Sequence, residues 1–358
     1  MKHTIISLTV LFFLFNSCDA FSQNIKIKKT TKPNVILLIG DGMGLSQLSS
    51  VFYYGDKTPA VSKFTEIGLI NTSSATDIVT DSGAGGTAFS CGIKTYNNTI
   101  GMNTDTLKVK NITELLSEKK YNTGVISTSA ITHATPACFY AHVKSRKMEN
   151  EIAQQLVSSD IDFFAGGGMQ FFSNRVDSVD VLKALSDNGF IINNDKNKPL
   201  NQEKKYGFLL AEKAMPEMTN GRGDFLPEYT KLALEYFAEK GKNFFLMVEG
   251  SQIDWAGHDN NAEYLIAEML DFDKAVGVAL DFAEKDKNTL VIVLADHETG
   301  GFTLAADGKD YNTIKPSFAS KEHSTSLIPV LAFGPGSEKF SGIYQNIDIF
   351  HKILELTK

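Results

Sequence analysis

Three stretches of this chain, "NVILLIG", "NFFLMV" and "TLVIVLA", are almost wholly apolar and too short for long helices. A strand with one wet face alternates apolar with polar residues. A run without alternation is buried on both faces, and such strands belong to parallel sheets whose crossover helices cover them. The segments between the runs carry helical periodicity. "NITELLSEKK" precedes the strand "TGVISTSA", "NEIAQQLVSS" precedes "IDFFAGGG", and "SVDVLKALSDNG" precedes "FIIN". "PEYTKLALEYFAEKGK" leads to "NFFLMVEG", a long helix over 261–286 leads to "TLVIVLADH", and "SLIPVLAFGPG" is a further strand before the helix "DIFHKILEL". This alternation predicts an α/β fold, a three-layer α/β/α sandwich around a mostly parallel central sheet.

No Pro/Gly/Ser-rich linker divides the chain, so residues 23–358 read as one domain, with loop-rich insertions near 169–225 and 299–322 expected over the sheet edge. Residues 1–22 read as an export signal peptide. Lys2 and His3 lead into the apolar run "TIISLTVLFFLF", and Ala20 and Ser22 sit like the small residues of a cleavage site. The expected product is periplasmic or secreted. Phe15-Asn16-Ser17-Cys18 is an imperfect lipobox, which leaves a lipid anchor through Cys18 as the alternative. No later run is long and apolar enough to span a membrane. Cys91 and Cys138 are too few for a disulfide framework and are expected to be buried free thiols. A net charge of −7 argues against a nucleic-acid partner, which calls for a basic excess.

The stretch "DSGAGGTAFSCG" opens a helical segment with glycines, the poorest ordinary helix formers. A lone Ser-Gly is usually a flexible turn. A helix start built from small residues, however, presents unpaired N–H groups and a partial positive charge to any anion that approaches. Ser82 would face that anion.

In open α/β sheets, ligands bind beyond the carboxyl ends of the strands. Asp41 ends the first apolar run, His133 and Thr135 follow "TGVISTSA", and Glu249, Asp254 and His258 follow "FFLMV". Asp296 and His297 end "TLVIVLA", and His323 stands just before "SLIPVLAF", so it enters from a strand's opposite flank. Taken singly, each is an ordinary turn acid or a surface histidine. Of the seven histidines, one lies in the leader, four join acids or strand ends, and His142 and His351 keep a structural reading. Carboxylates and imidazoles without thiolate suit Zn²⁺ on the histidine side and Mg²⁺ on the oxygen side. The donors outnumber what one ion uses, so two or three ions are expected, as in the paired-metal sites of phosphatases. Arg146, in "KSRK", is surface by default, but its planar fork can hold two phosphoryl oxygens.

With these residues in place, the chain resembles the alkaline phosphatase family of metal-dependent phosphomonoesterases. The resemblance runs from "PNVILLIGDGMG" through "TDSGAGGTAFSCGIKTYN", "THATPACFYAHVKSRK", "MVEGSQIDWAGH" and "VLADHETGGF" to "EHSTS". It implies that Ser82 is the nucleophile that becomes phosphorylated and Arg146 the clamp on the substrate phosphate. It implies one zinc on Asp254, His258 and His323, and a second on Asp296 and His297, with Ser82 facing it. Asp41 would bridge onward to a third, normally magnesium, site completed by Thr135 and Glu249. It also implies broad hydrolysis of small phosphate monoesters and a homodimer. Two positions depart from the best-known bacterial pattern. His133 stands where an Asp often supports the magnesium, and Trp255 where a Lys often helps hold phosphate. Imidazole favours transition metals, so the third site is expected to hold Mg²⁺ loosely, or to take Zn²⁺ or Co²⁺.

Two rivals share the fold. A sulfatase would need a motif for formylglycine conversion, which the surroundings of Ser82 do not resemble, and a phosphodiesterase would usually lack the Arg146 clamp. A metal- or phosphate-binding protein without turnover would have no need of the full nucleophile-plus-metal set.

Overall fold

The computed structural model describes residues 32–358 except 56, 174 and 194. The leader reading for residues 1–22, with its alternative at Cys18, lies outside the described residues. β1 (Asn34–Gly40) leads to α1 (Leu45–Tyr54), then to β2 (Glu66–Asn71), the glycine-rich α2 (Ser82–Cys91) and α3 (Ile112–Glu118). β3 (Asn122–Ala130) is followed by the single-turn α4 (Ala134–Ala137) and α5 (Glu149–Val157), and β4 (Phe163–Gly167) by α6 (Val181–Asp187). β5 (Phe190–Ile192) and β6 (Lys205–Leu209) precede α7 (Phe225–Lys240). Next come β7 (Phe244–Gly250), α8 (Gln252–Asp259), α9 (Ala262–Asp286) and β8 (Thr289–Leu294). The last elements are β9 (Glu298–Thr299), β10 (Thr303–Asp307), β11 (Asp310–Ser317), β12 (His323–Ser324), β13 (Ile328–Phe333), β14 (Gly342–Gln345) and α10 (Ile347–Leu356).

Ten strands form one sheet in the order β14-β2-β13-β8-β1-β7-β3-β4-β6-β5. β1 lies at its centre, parallel to β7 and β8, and its apolar residues Val35 to Ile39 are fully buried. This is the burial that an unalternating run requires. Adjacent residues of β7 show the three layers. Phe244 stacks on Phe237 of α7 at 5.3 Å, while Phe245 stacks on Phe139, just past α4, at 5.9 Å. Neighbouring side chains on a strand point to opposite faces, so helical segments cover both.

Only β13 runs against the rest, pairing antiparallel with both β8 and β2. Its first residue therefore lies at the edge where the parallel strands end. That reversal explains how His323, although it precedes its strand, reaches the same rim as residues that follow theirs.

The insertions hold more strand than the one expected at "FIIN". Within 169–225, β5 and β6 extend the sheet beyond β4. β6 is legible only in hindsight, because Gly207 leaves its central position without a side chain and Phe164 packs into the space. Within 299–322, β10 and β11 pair as an antiparallel ribbon beside α1, turning at Asp307-Gly308. Its residues are largely exposed, so no apolar alternation announced it.

Candidate active site

Asp81 begins the site. Its backbone is extended and its Oδ1 accepts from the Ala84 amide at 3.0 Å, capping α2. This sets Ser82 as the first helical residue, with a 2 % exposed side chain pointing at the strand ends. The glycines of α2 serve close approach. A Cβ on Gly85 would meet the Asp296 Cβ at 2.9 Å, and one on Gly86 would meet the Cys138 sulfur at 2.9 Å. Cys91 and Cys138 are both free and buried.

Two ligand sets converge here. In the first, Asp254 and His258 share one face of α8. The His258 Nε2 lies 3.1 Å from the His323 Nε2 and 3.4 Å from the Asp254 Oδ1, and the His323 Nε2 is 3.5 Å from the same oxygen. Each imidazole donates its Nδ1–H to a backbone carbonyl, His258 to Lys321 and His323 to Thr80. The Nε2 atoms therefore turn bare lone pairs on one another across 3.1 Å, an arrangement that only a cation or a proton between them relieves. Without metal, a proton takes that place. Although burial opposes it, the hydrogen bond to Asp254 raises the His323 pKa to about 9, and despite its own burial the Asp254 carboxyl is held well below the usual range by His323 and the neighbouring imidazoles.

In the second set, the His297 Nε2 lies 3.3 Å from the Asp296 Oδ2, 3.5 Å from the Asp41 Oδ1 and 3.4 Å from the Ser82 Oγ. These separations match the first set. Tetrahedral zinc with ligand bonds of about 2.0–2.1 Å keeps its donors about 3.3–3.4 Å apart. Both sets therefore fit zinc. The Asp41 Oδ1 and Asp296 Oδ2 are buried and have no hydrogen-bond partner among the described residues, as metal-facing oxygens would. Burial pushes both carboxyls up, with repulsion from Asp296 adding at Asp41 and repulsion from Asp254 adding at Asp296, which rises to about 7. Burial also drives the His297 pKa far down, so it presents a neutral ring.

Thr135 and Glu249 meet Asp41 on its other side. The Thr135 hydroxyl donates to the Asp41 Oδ2 at 3.3 Å. Ser127 and Ser251 donate to the Glu249 Oε2 and leave its buried Oε1 unpartnered. This donor set is all oxygen, which suits a hard ion such as Mg²⁺.

Arg146 is drawn in from its basic run. Its Nη1 donates to the Asp81 Oδ2 at 3.0 Å, and its Nη2 donates to the His133 Nε2 at 3.1 Å. His133 thus stands apart from both ligand triples. Its ring meets Trp255 edge-on at 5.8 Å, burial lowers its pKa to about 3, and its buried Nδ1 has no partner among the described residues. His142 keeps its structural place, with Nδ1 on the Gly101 carbonyl at 2.7 Å. Sequence reasoning missed Asp81 as the holder of Arg146, the serines that orient Glu249, and Thr299, which touches Asp254 and His297. Of these only Asp81 carried a signal, as a helix-capping acid directly before the serine.

A family model described as alkaline phosphatase matches residues 32–322. The chain is 39 % identical to alkaline phosphatase 3 of Bacillus subtilis over 343 residues, covering 91 % of this chain and 73 % of that protein. It is 30 % identical to the alkaline phosphatase of Escherichia coli K12, covering 89 % and 84 %. Among solved structures, an alkaline phosphatase from the Antarctic bacterium TAB5 superposes with a TM-score of 0.88 at 54 % identity, over 92 % of this chain and 99 % of that one. A histidine-to-aspartate mutant of that protein has been solved with Mg bound in its M3 site.

Proposed function

The chain belongs to the alkaline phosphatase family and is a phosphoric monoester hydrolase, and from that premise we propose that Ser82 is the atom donor of its covalent step. The single observation that carries this reading is the position of the Ser82 Oγ, at the start of a capped helix and 3.4 Å from the His297 Nε2, beside the Asp41 Oδ1 and Asp296 Oδ2, which have no hydrogen-bond partner among the described residues. Asp254, His258 and His323 would hold one zinc, and Asp41, Asp296 and His297 would hold the second beside Ser82. Ions held in these sets supply Lewis-acid stabilisation of the attacking and leaving oxygens.

The residues do the rest. The Ser82 Oγ forms a bond to phosphorus as the ester O–P bond breaks, and the departing alcohol takes up the proton that the serine gives. Arg146, held by Asp81 and His133, offers its fork to two non-bridging phosphoryl oxygens. The N-terminal amides of α2 face the same anion. Water then cleaves the phosphoseryl ester, restoring the Ser82 hydroxyl and releasing inorganic phosphate. Nothing in this set reads the alcohol, which supports broad monoester specificity, with Trp255 beside the phosphate.

Asp41, Thr135 and Glu249 form the third site, for Mg²⁺, with His133 at its rim. The Mg in the M3 site of the TAB5 mutant supports this reading. The imidazole in place of a carboxylate supports looser magnesium binding, or Zn²⁺ or Co²⁺ in its stead. The leader-like residues 1–22 support export, and family resemblance supports a homodimer. No described helix is long and apolar enough to cross a membrane.

Hydrolysis of a chromogenic phosphate monoester by the wild type and Ser82→Ala, each with and without chelator, tests the reading. Activity lost to chelator, regained with zinc plus magnesium, and at least ~10³-fold lower in the variant is expected. A variant that keeps its turnover contradicts it.

A further inference from the structure

Thr299 lies in β9, opposite His323 of β12, with its side chain fully buried. Its hydroxyl stands between the two ligand sets. Oγ1 donates to the Asp254 Oδ1 and lies 3.2 Å from the His297 Nδ1. A hydroxyl carries one proton and two lone pairs. The hydroxyl donates to the Asp254 Oδ1, so that proton is committed there. Towards His297, Oγ1 can then only accept, which requires the proton of the ring to sit on Nδ1. The Nε2 is left bare, and Nε2 is the nitrogen that faces Asp41, Asp296 and Ser82.

The other two ligand histidines obtain the same presentation from the main chain, through the carbonyls of Lys321 and Thr80. Only His297 relies on a side chain. The fit leaves little room for substitutes, since a Cβ on Gly257 would meet the Thr299 Cγ2 at 3.0 Å and one on Gly42 would meet its Oγ1 at 2.9 Å.

We propose that Thr299 is a positioning residue for both metal sets at once: its single hydroxyl orients the Asp254 carboxylate in one and fixes the metal-ready tautomer of His297 in the other. The inference rests on the ligand assignment above. Partners of this kind typically contribute 10- to 100-fold to metal affinity, and one residue serving two sets should affect both.

Thr299→Val keeps the branched shape and removes only the hydroxyl, whereas Thr299→Ser keeps the hydroxyl and removes only the methyl. Metal-free protein is titrated with zinc against a chromogenic chelator, and the ring tautomer of His297 is read in metal-free protein by long-range ¹H–¹⁵N NMR. We expect two tight zinc ions in the wild type and in Thr299→Ser, both bound roughly 10- to 100-fold more weakly in Thr299→Val. The His297 ring should be Nδ1–H in the wild type and a mixture in Thr299→Val. Unchanged zinc affinity in Thr299→Val, or equal losses in both variants, overturns the proposal. Should Thr299→Val not fold, the wild-type spectrum decides, and an unprotonated Nδ1 on His297 overturns the proposal. A wild type that binds no zinc overturns the ligand assignment, and the same spectrum still judges Thr299.

Discussion

The Asp81 carboxylate holds Arg146 with the same oxygen that accepts from the Asn98 amide, while its other oxygen caps the helix that carries Ser82. One side chain therefore sets both the helix that carries Ser82 and the guanidinium of Arg146. The two roles separate by mutation. Asn caps a helix as well as Asp does, whereas Ala forfeits about 0.5–2 kcal/mol. Asp81→Asn should keep its melting temperature yet raise KM and the inhibition constant of inorganic phosphate by roughly 3- to 10-fold, since charge-assisted hydrogen bonds are about twice as strong as neutral ones. Asp81→Ala should show both losses. Thermal melts and phosphate inhibition of the two variants check this, and unchanged phosphate affinity in Asp81→Asn would count against the shared role.

His133 touches Arg146 where a carboxylate would pair with it more strongly and also offer oxygen to magnesium. His133→Asp should therefore lower the magnesium concentration for half-maximal activity by about tenfold or more, a gain typical of added ligand charge. Tying Arg146 to a new anion should also lower kcat. Magnesium titration of metal-stripped enzyme reads both effects.

Glycine substitutions should have opposite effects at two helical positions. At Gly85 a methyl group collides with the Asp296 Cβ at 2.9 Å, so Gly85→Ala should push α2 off the second ligand set and weaken zinc binding and activity together. At Gly277, within α9, the new methyl would meet only the Ala60 Cβ at an ordinary 3.5 Å. Gly277→Ala should stabilise the protein by about 0.5–1 kcal/mol through helix propensity and leave turnover unchanged. Denaturant melts with parallel assays distinguish the two.

Metal-free protein should lose stability between about pH 6.5 and 9. The His323 pKa is raised to about 9, so its contribution is complete below the unfolded value near 6.5 and fades as pH rises through 9. Asp296, raised to about 7, loses its contribution earlier, between its unfolded value of about 4 and about pH 7, and Asp41, raised well above its ordinary value by burial and by Asp296, begins its loss from the same unfolded value. His133 and His297, held low by burial, cost stability only below about pH 6.5, outside this window. Melts of chelated protein should fall across the window while zinc-loaded protein holds level. A flat chelated profile would contradict the raised His323 and its pairing with Asp254.

The fold was legible because its central strands are buried on both faces, a requirement that "NVILLIG" and "TLVIVLA" state outright. The strands of the main sheet that escaped lie towards its two ends, β14 and β2 at one and β6 near the other. β2 and β14 alternate weakly, and their Ile67 and Ile343 are exposed. The residues proposed as ligands could be picked out because they fall at strand ends. Thr299 could not, because a threonine two residues past His297 looks like any strand residue until Asp254, 45 positions earlier, is brought against it. His133 was expected to support the third metal, and its Nε2 instead accepts from Arg146.

Anomalous diffraction at the zinc edge, on crystals grown with zinc and inorganic phosphate, tests the central claim most directly. The account predicts two peaks about 4 Å apart, one enclosed by Asp254, His258 and His323, the other by Asp41, Asp296 and His297 with the Ser82 Oγ turned towards it. Zinc bound away from these side chains, or phosphate seated beyond the reach of Ser82 and Arg146, would contradict it.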